Sequence, residues 1–508
     1  MKKKSLFVIL IVIFACWNIH IFADEAQKAD QNKPEFKPEF PKETVSETKH
    51  SVTINGTVIN YTARAGTIVL KEENGRPKAS FFFVAYTRDG ITDPGTRPIM
   101  FSFNGGPGSS SVWLHMGILG PRRVVMADDG SALPPPYQIA NNDYSILDVT
   151  DLVFIDPVST GYSRPVPGED AKQFHGVQED IESVGKFIRL WTTRYQRWGS
   201  PKFLCGESYG TTRAAGLAGY LEQEQGMYLN GVILISAVLD FGTGEFLRGN
   251  DIPFITFLPT YAATAWYHKK LSPDLEADLR KTLDQVESFA INEYSVALLK
   301  GDSLSAQERQ NVIQKLSQFT GLSQSYINET NLRIWDYRFT KELLRDQGLV
   351  VGRLDSRFKG YDYDSAGEGT EADPSYSAIQ GSFTSMLNSY VRTDLKYEND
   401  LPYEILTDVS PWSFDKFANK YVNVSDSLRQ AITQNPSLKV FVANGYFDLA
   451  CPYFATRYTF NHLGLPSNLR NNVTMGYYEA GHMMYINKPS MVQLKSDLSK
   501  FIQSAAGH

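Results

Sequence analysis

Cysteine is scarce in this chain, with three in 508 residues. So few thiols cannot build a disulfide scaffold, and stability has to come from a packed core. An excess of positive charge is also missing. Fifty Lys and Arg against 56 Asp and Glu leave a net charge of -6, which excludes a basic face for nucleic acid. Beyond the first residues there is no long apolar run, and no internal repeat is visible. What is present is ordinary for a globular protein: 42% hydrophobic and 21% charged residues, with 27 Tyr and 30 Phe to fill a sizeable interior. Small-molecule or peptide chemistry fits this balance.

Residues 1–23 read as a targeting segment. Lys2-Lys3-Lys4 precede an apolar stretch from Leu6 to Trp17, and Ile21-Phe22-Ala23 offers a cleavage site before Asp24. The apolar stretch is short for a membrane span and a polar stretch follows, so export with cleavage is expected, to the periplasm or beyond, with no stable membrane span afterwards. Lipid attachment at Cys16 is the lesser alternative, because Phe14 suits a lipoprotein signal poorly. Residues 24–49, rich in Lys, Glu and Pro, are expected to be a disordered spacer. Cleavage leaves Cys205 and Cys451; whether they pair is open, with buried free thiols the preferred state.

Past the spacer the pattern becomes β-rich. Ser51–Ile54 and Val58–Tyr61 flank Asn55-Gly56, a strong hairpin signal, and Ala79–Tyr86 is a further strand. Apolar strands follow at Pro98–Phe103, Leu152–Ile155, Phe203–Cys205, Val232–Ile235, Leu438–Val442 and Val473–Tyr477, with a helix predicted over Phe174–Tyr195. Continuous apolar runs separated by helices predict an α/β fold, a mostly parallel sheet with helices on both faces. Residues 50–240 and 421–508 are assigned to this core. Residues 241–420 interrupt it with helical periodicity at Ser272–Leu299 and Ser305–Leu316 and a polar, Gly-rich stretch at Asp355–Asp373. That block is read as an insertion capping the catalytic face.

Chemistry enters at Gly206-Glu207-Ser208-Tyr209-Gly210, directly after the apolar run Phe203-Leu204-Cys205 and before a run of small residues starting at Arg213. G-x-S-x-G between strand and helix is a nucleophile elbow, and the competing reading is an ordinary turn. A serine nucleophile needs a histidine base and an acid to orient it. Of eight His, His482 follows a predicted strand in a Gly-containing loop, whereas His20, His50, His115, His175, His268, His462 and His508 have structural or terminal contexts. The acid should lie between serine and histidine in chain order, which selects Asp448. Asp240 is a weaker rival, and Asp156 precedes the serine and reads as structural. Backbone donors for an oxyanion come from Asn104-Gly105-Gly106-Pro107-Gly108 together with the Tyr209 N–H. No Lys-Ser/Thr pair follows that loop, so it is not read as a phosphate cradle. No metal and no cofactor is expected.

These motifs, with Ala480-Gly481-His482-Met483 and Asp448-Leu449-Ala450-Cys451-Pro452, resemble the serine carboxypeptidases, the group of cathepsin A and yeast carboxypeptidase Y. The likeness covers roughly 95–240 and 430–505, and includes a shortened counterpart of a family stretch at Phe154–Ser163. It implies the α/β-hydrolase fold and release of C-terminal residues from peptides with a free C-terminus. It also implies oxyanion donors at Gly106 and Tyr209, and a site for the substrate's carboxylate made by Asn104, Gly105 and Glu207. Some positions depart from the family: Ser102 for a tryptophan, Ser109 for a cysteine, Thr211 for a glycine, and Ile118 for a second glutamate that shares a proton with the first. An esterase or acyltransferase on the same scaffold is the alternative, and a binding protein without turnover a third reading. Oligomeric state and the residues preferred around the scissile bond are not encoded legibly.

Overall fold

The computed structural model describes residues 40–507. The expected signal segment with Cys16, and the spacer as far as residue 39, lie outside these residues. The rest of the spacer needs correction, because Val45–Lys49 belong to a strand. β1 (Val45–Ile54) turns at Asn55 and Gly56, whose φ values are 49° and 76°, into β2 (Thr57–Lys71). The segment is polar, but an edge strand needs only backbone partners, and Val45 pairs with Gly66.

β3 (Pro77–Arg88), β4 (Ile99–Phe103), β5 (Asp151–Ile155), β6 (Lys202–Ser208), β7 (Gly231–Ala237), β8 (Lys439–Gly445) and β9 (Val473–Tyr478) complete the main path of the sheet. Their spatial order is β1-β2-β3-β5-β4-β6-β7-β8-β9, with a short strand at Arg164–Pro165 pairing with β3. The first three strands and the β3–β5 pair are antiparallel, and every pair from β5 to β9 is parallel. Strands buried on both faces explain the unbroken apolar runs. β3 shows the alternation: Phe82, Val84 and Tyr86 enter the core on one face, Phe81, Phe83 and Ala85 that on the other.

α1 (Val177–Arg194) and α2 (Tyr209–Gln225) cover the second face. After β7 the chain leaves the sheet and returns only at β8. Between them lie α3 (Ile252–Tyr267), α4 (Leu279–Phe289), α5 (Ala306–Thr320) and α6 (Pro374–Thr393), with a ribbon of Leu349–Val351 against Lys359–Tyr361. The helix predicted over Ser272–Leu299 is divided. Asp278 accepts the N–H of Lys281 and so starts α4 afresh, and a wider turn at Ala290–Tyr294 separates α4 from Ser295–Lys300. α3 and α6 were not expected from the sequence. α3, α4 and α5 form their own apolar core, which also takes in Phe447 and Leu449 on the two sides of Asp448, whereas Ile379, Phe383 and Leu387 of α6 pack into the core on one face of the sheet. Among the described residues no helix is long and apolar enough to cross a membrane.

Candidate active site

Parallel sheets gather functional loops at the carboxyl ends of their strands. Ser208 is the last residue of β6 and caps α2, with φ 60° and ψ -133°. This is a backbone conformation that L-residues rarely adopt, and it holds the half-buried side chain clear of the sheet. The turn is so tight that a methyl on Gly206 would lie 2.1 Å from the carbonyl oxygen of Gly210. Thr211, one of the departures, has a place here. Its hydroxyl donates to the Ser208 carbonyl at 2.7 Å and accepts the N–H of Val238 at 2.9 Å, tying the elbow to the chain beyond β7.

Asp448 and His482 lie on the loops after the adjacent strands β8 and β9. His482 Nδ1 and Asp448 Oδ2 are 2.8 Å apart, and both residues are buried. Asp448 Oδ1 is engaged separately, accepting the N–H groups of Ala450 and Cys451 at 2.8 and 2.9 Å. Burial disfavours a charged imidazole, but the charge and hydrogen bond of Asp448, with Cys451 beside it, outweigh that and hold the His482 pKa well above its ordinary value. The rival acids are occupied elsewhere. Asp156 accepts the Ser111 N–H at 2.9 Å and Asp240 the Gly242 N–H at 2.9 Å. Among the other described histidines, His115 meets the Tyr86 hydroxyl and His175 the Ser159 hydroxyl. His268 and His462 bond the carbonyls of Ser356 and Tyr458, and His50 the hydroxyl of Thr48. Cys205 and Cys451 are both buried and unpaired.

The glycine loop after β4 closes over the elbow. A methyl on Gly105 would sit 2.4 Å from the Tyr209 nitrogen, so only glycine leaves that N–H open; Gly106 follows with φ 102°. The loop is held from beneath by Arg213, which donates to the Asn104 carbonyl at 2.6 Å and pairs with buried Asp180 at 2.7 Å. Asn104 Oδ1 accepts the Leu114 N–H at 3.1 Å, which turns its Nδ2 toward Glu207 Oε1 at 2.9 Å. Glu207 is buried, and burial pushes its pKa up to about 7, against the pull of His482 and of hydrogen bonds from Tyr485 and Asn104. Asn104, Gly105, Gly106, Glu207, Ser208 and His482 all face one cleft of about 260 Å³. Arg353, Leu354, Tyr376, Ile379 and Leu406 of the insertion line it as well, with Trp113 and Met483 of the core.

Two residues in this arrangement gave no sequence signal. Tyr485 donates its hydroxyl to Glu207 Oε2 at 2.6 Å. Asp355, in the insertion, accepts the Gly481 N–H at 3.0 Å while paired with Arg357, and the neighbouring Leu354 carbonyl accepts the His482 N–H at 2.7 Å. The insertion therefore also grips the histidine loop. Asp355→Ala is expected to lower kcat about tenfold, the kinetic equivalent of one lost hydrogen bond, with a smaller change in KM. Asp355→Asn keeps an acceptor and should recover most of the rate. Steady-state kinetics of the two variants check this, and equal losses would show that charge rather than the Gly481 contact matters.

Asp448, Cys451 and His482 bring a carboxylate, a thiol and an imidazole within 4.8 Å of one another, a set a soft cation could occupy. Both Asp448 oxygens, however, already accept hydrogen bonds.

The chain is 30% identical over 215 residues to serine carboxypeptidase-like 33 of Arabidopsis thaliana, a match covering 41% of the chain and 38% of that protein. It is 26% identical over 250 residues to serine carboxypeptidase-like 34 of the same plant, covering 47% and 45%. The matches thus span less than half the length of these relatives. Among solved structures, Kex1(delta)p, a prohormone-processing carboxypeptidase from Saccharomyces cerevisiae, superposes with a TM-score of 0.54 at 19% identity over 88% of the chain and 91% of that protein, a likeness of fold. The fold is that of the α/β-hydrolases. The sequence pattern of the serine carboxypeptidases matches residues 56–495, and the chain belongs to that family.

Proposed function

We propose that the protein is an exported serine carboxypeptidase that removes residues from peptides with a free C-terminus. Ser208 Oγ attacks the last peptide carbonyl while His482 Nε2 takes its proton, and Asp448 fixes the imidazole tautomer and stabilises the imidazolium. The N–H groups of Gly106 and Tyr209 receive the oxyanion. The proton passes to the leaving amine, the amino acid departs, and water hydrolyses the acyl-enzyme by the same steps in reverse order. Export rests on the pattern of residues 1–23.

One observation carries the peptidase reading over the esterase one. A triad and two backbone donors serve esters and amides alike, but a buried glutamate with a pKa pushed up to about 7, bonded to Asn104 beside the nucleophile, has no use on an uncharged ester. Below that pH Glu207 is neutral and can donate to a substrate carboxylate, with Asn104 Nδ2 and the Gly105 N–H as further donors. Above it, two carboxylates face each other.

KM for free-acid peptides is therefore expected to rise as pH passes through about 7, with ester substrates affected less. Glu207→Gln, whose amide donates at any pH, should flatten the rise. Rates need neutral His482 and fall on acidification for both substrates. KM profiles of parent and variant test this. A parent KM that ignores pH, or an unchanged slope in Glu207→Gln, would remove Glu207 from the carboxylate site and favour the esterase or acyltransferase reading.

A further inference from the structure

The second glutamate that the family would place at Ile118 is missing, yet Glu207 is not left with an empty side. Ile118 is fully buried, and its carbonyl is taken by Asn142 Nδ2 at 2.6 Å. The neighbouring residue, Gly117, has no side chain where the ring of Tyr485 lies: a methyl there would sit 2.3 Å from Tyr485 Cε2. The ring thus fills the space beside the backbone of the 115–119 turn and delivers its hydroxyl to Glu207 Oε2 at 2.6 Å. A bare position at 117 and a tyrosine three residues after the histidine form one steric unit.

We infer that Tyr485 is the specificity-setting partner of Glu207, holding the proton position on which recognition of a C-terminal carboxylate depends. The inference rests on the carboxypeptidase reading above. Asn104 cannot reverse its bond to Oε1, because its own Oδ1 is committed to the Leu114 N–H. Oε1 is therefore an acceptor in either state of Glu207, and a proton on Glu207 belongs on Oε2, the oxygen that Tyr485 faces. A tyrosine hydroxyl suits that place because it both donates and accepts. It donates to ionised Glu207, and turns to accept or release when Oε2 carries the hydrogen and a substrate carboxylate arrives.

A second carboxylic acid would share a proton with Glu207 and prolong its neutral state as pH rises. A phenol donor does the opposite, stabilising the ionised form and bringing loss of carboxylate affinity to lower pH. The other groups facing Glu207 come from three elements. His482, when charged, favours ionisation, and Asp448 opposes it, both from the loops after β8 and β9. Cys205 lies on β6 with a thiol that burial keeps protonated. Among these, Tyr485 and Asn104 make the direct hydrogen bonds, and Tyr485 is the one that can reverse.

The test measures KM against pH for a free-acid peptide and its ester analogue. In Tyr485→Phe the pH at which free-acid KM rises should move upward by about one unit, the worth of one hydrogen bond to a charged group. The ester's KM should move by a smaller factor. Tyr485→3-fluorotyrosine, nearly isosteric and a stronger donor, should move the same midpoint downward, and it decides the matter if the phenylalanine variant does not fold. On a Glu207→Gln background, Tyr485→Phe should add nothing to the pH slope. A midpoint that stays in place in the folded variants, or ester and free-acid KM values changing by the same factor, overturns the role of Tyr485 alone. A parent protein whose free-acid KM is flat with pH overturns the carboxylate reading of Glu207, and this inference with it.

Discussion

Ser208→Ala is expected to abolish hydrolysis, with kcat falling about 10⁶-fold as for loss of a serine nucleophile elsewhere, and to abolish covalent labelling by a fluorophosphonate. The fold should survive. The side chain is half-buried, and the hydroxyl that braces the elbow belongs to Thr211, whose bonds to the Ser208 carbonyl and the Val238 N–H involve backbone atoms that the substitution keeps. The thermal midpoint of the variant should therefore match the parent. Labelling that persists would place the nucleophile at another serine.

Asp448→Asn should cost roughly 10³–10⁴ in kcat, and the hydrogen bonds around it give the reason. The N–H groups of Ala450 and Cys451 bind Oδ1 and require an acceptor there. An asparagine would keep its carbonyl oxygen on those two donors and turn its NH₂ toward His482 Nδ1. That nitrogen would then have to accept, the ring proton would move to Nε2, and Nε2 could no longer receive the serine proton. Restoration of activity at high pH is not expected, because the tautomer is wrong at every pH where the ring is neutral. A larger loss in Asp240→Asn or Asp156→Asn would show that the acid is misassigned.

The parts legible in the sequence were those with a strong local cause. Continuous apolar runs marked the parallel strands, Asn55-Gly56 marked the hairpin, and the G-x-S-x-G turn marked the elbow, whose backbone angles at Ser208 depend on the flanking glycines. The chain order of strands pointed to Asp448 and His482, whose Oδ2 and Nδ1 the fold brings to 2.8 Å of each other. Other parts depended on tertiary context. α3 is buried on nearly all sides, carries Pro259 inside it, and so shows no amphipathic stripe. α6 is announced only by its start, where Asp373 caps Ser375 and Pro374 opens the first turn. Ser46–Lys49 are polar and form a strand only because β2 supplies backbone partners. Tyr485 and Asp355 touch the site through pairings of 278 and 126 residues' separation, which no local pattern reveals. The missing glutamate at 118 could be noticed in the sequence, but its steric counterpart at Gly117 and Tyr485 could not.

The departures from the family pattern at Ser109 and Thr211 sort themselves by the same physical reading. Ser109 accepts the indole N–H of Trp113 at 2.9 Å within the glycine loop, and Thr211 braces the elbow. Neither is hydrogen-bonded to His482 or Asp448; Thr211 acts on the Ser208 backbone and Ser109 on Trp113.

The central claim is that this site acts on peptides through their free C-terminal carboxylate. The most direct test incubates the purified protein, in parallel, with one peptide and its C-terminally amidated twin across a pH series spanning 7, and follows both by mass spectrometry. The expected result is stepwise loss of single residues from the C-terminus of the free acid, with the amide cut far more slowly and Ser208→Ala inactive on both. Equal rates on the two peptides, or hydrolysis of simple esters with neither peptide shortened, would contradict the account.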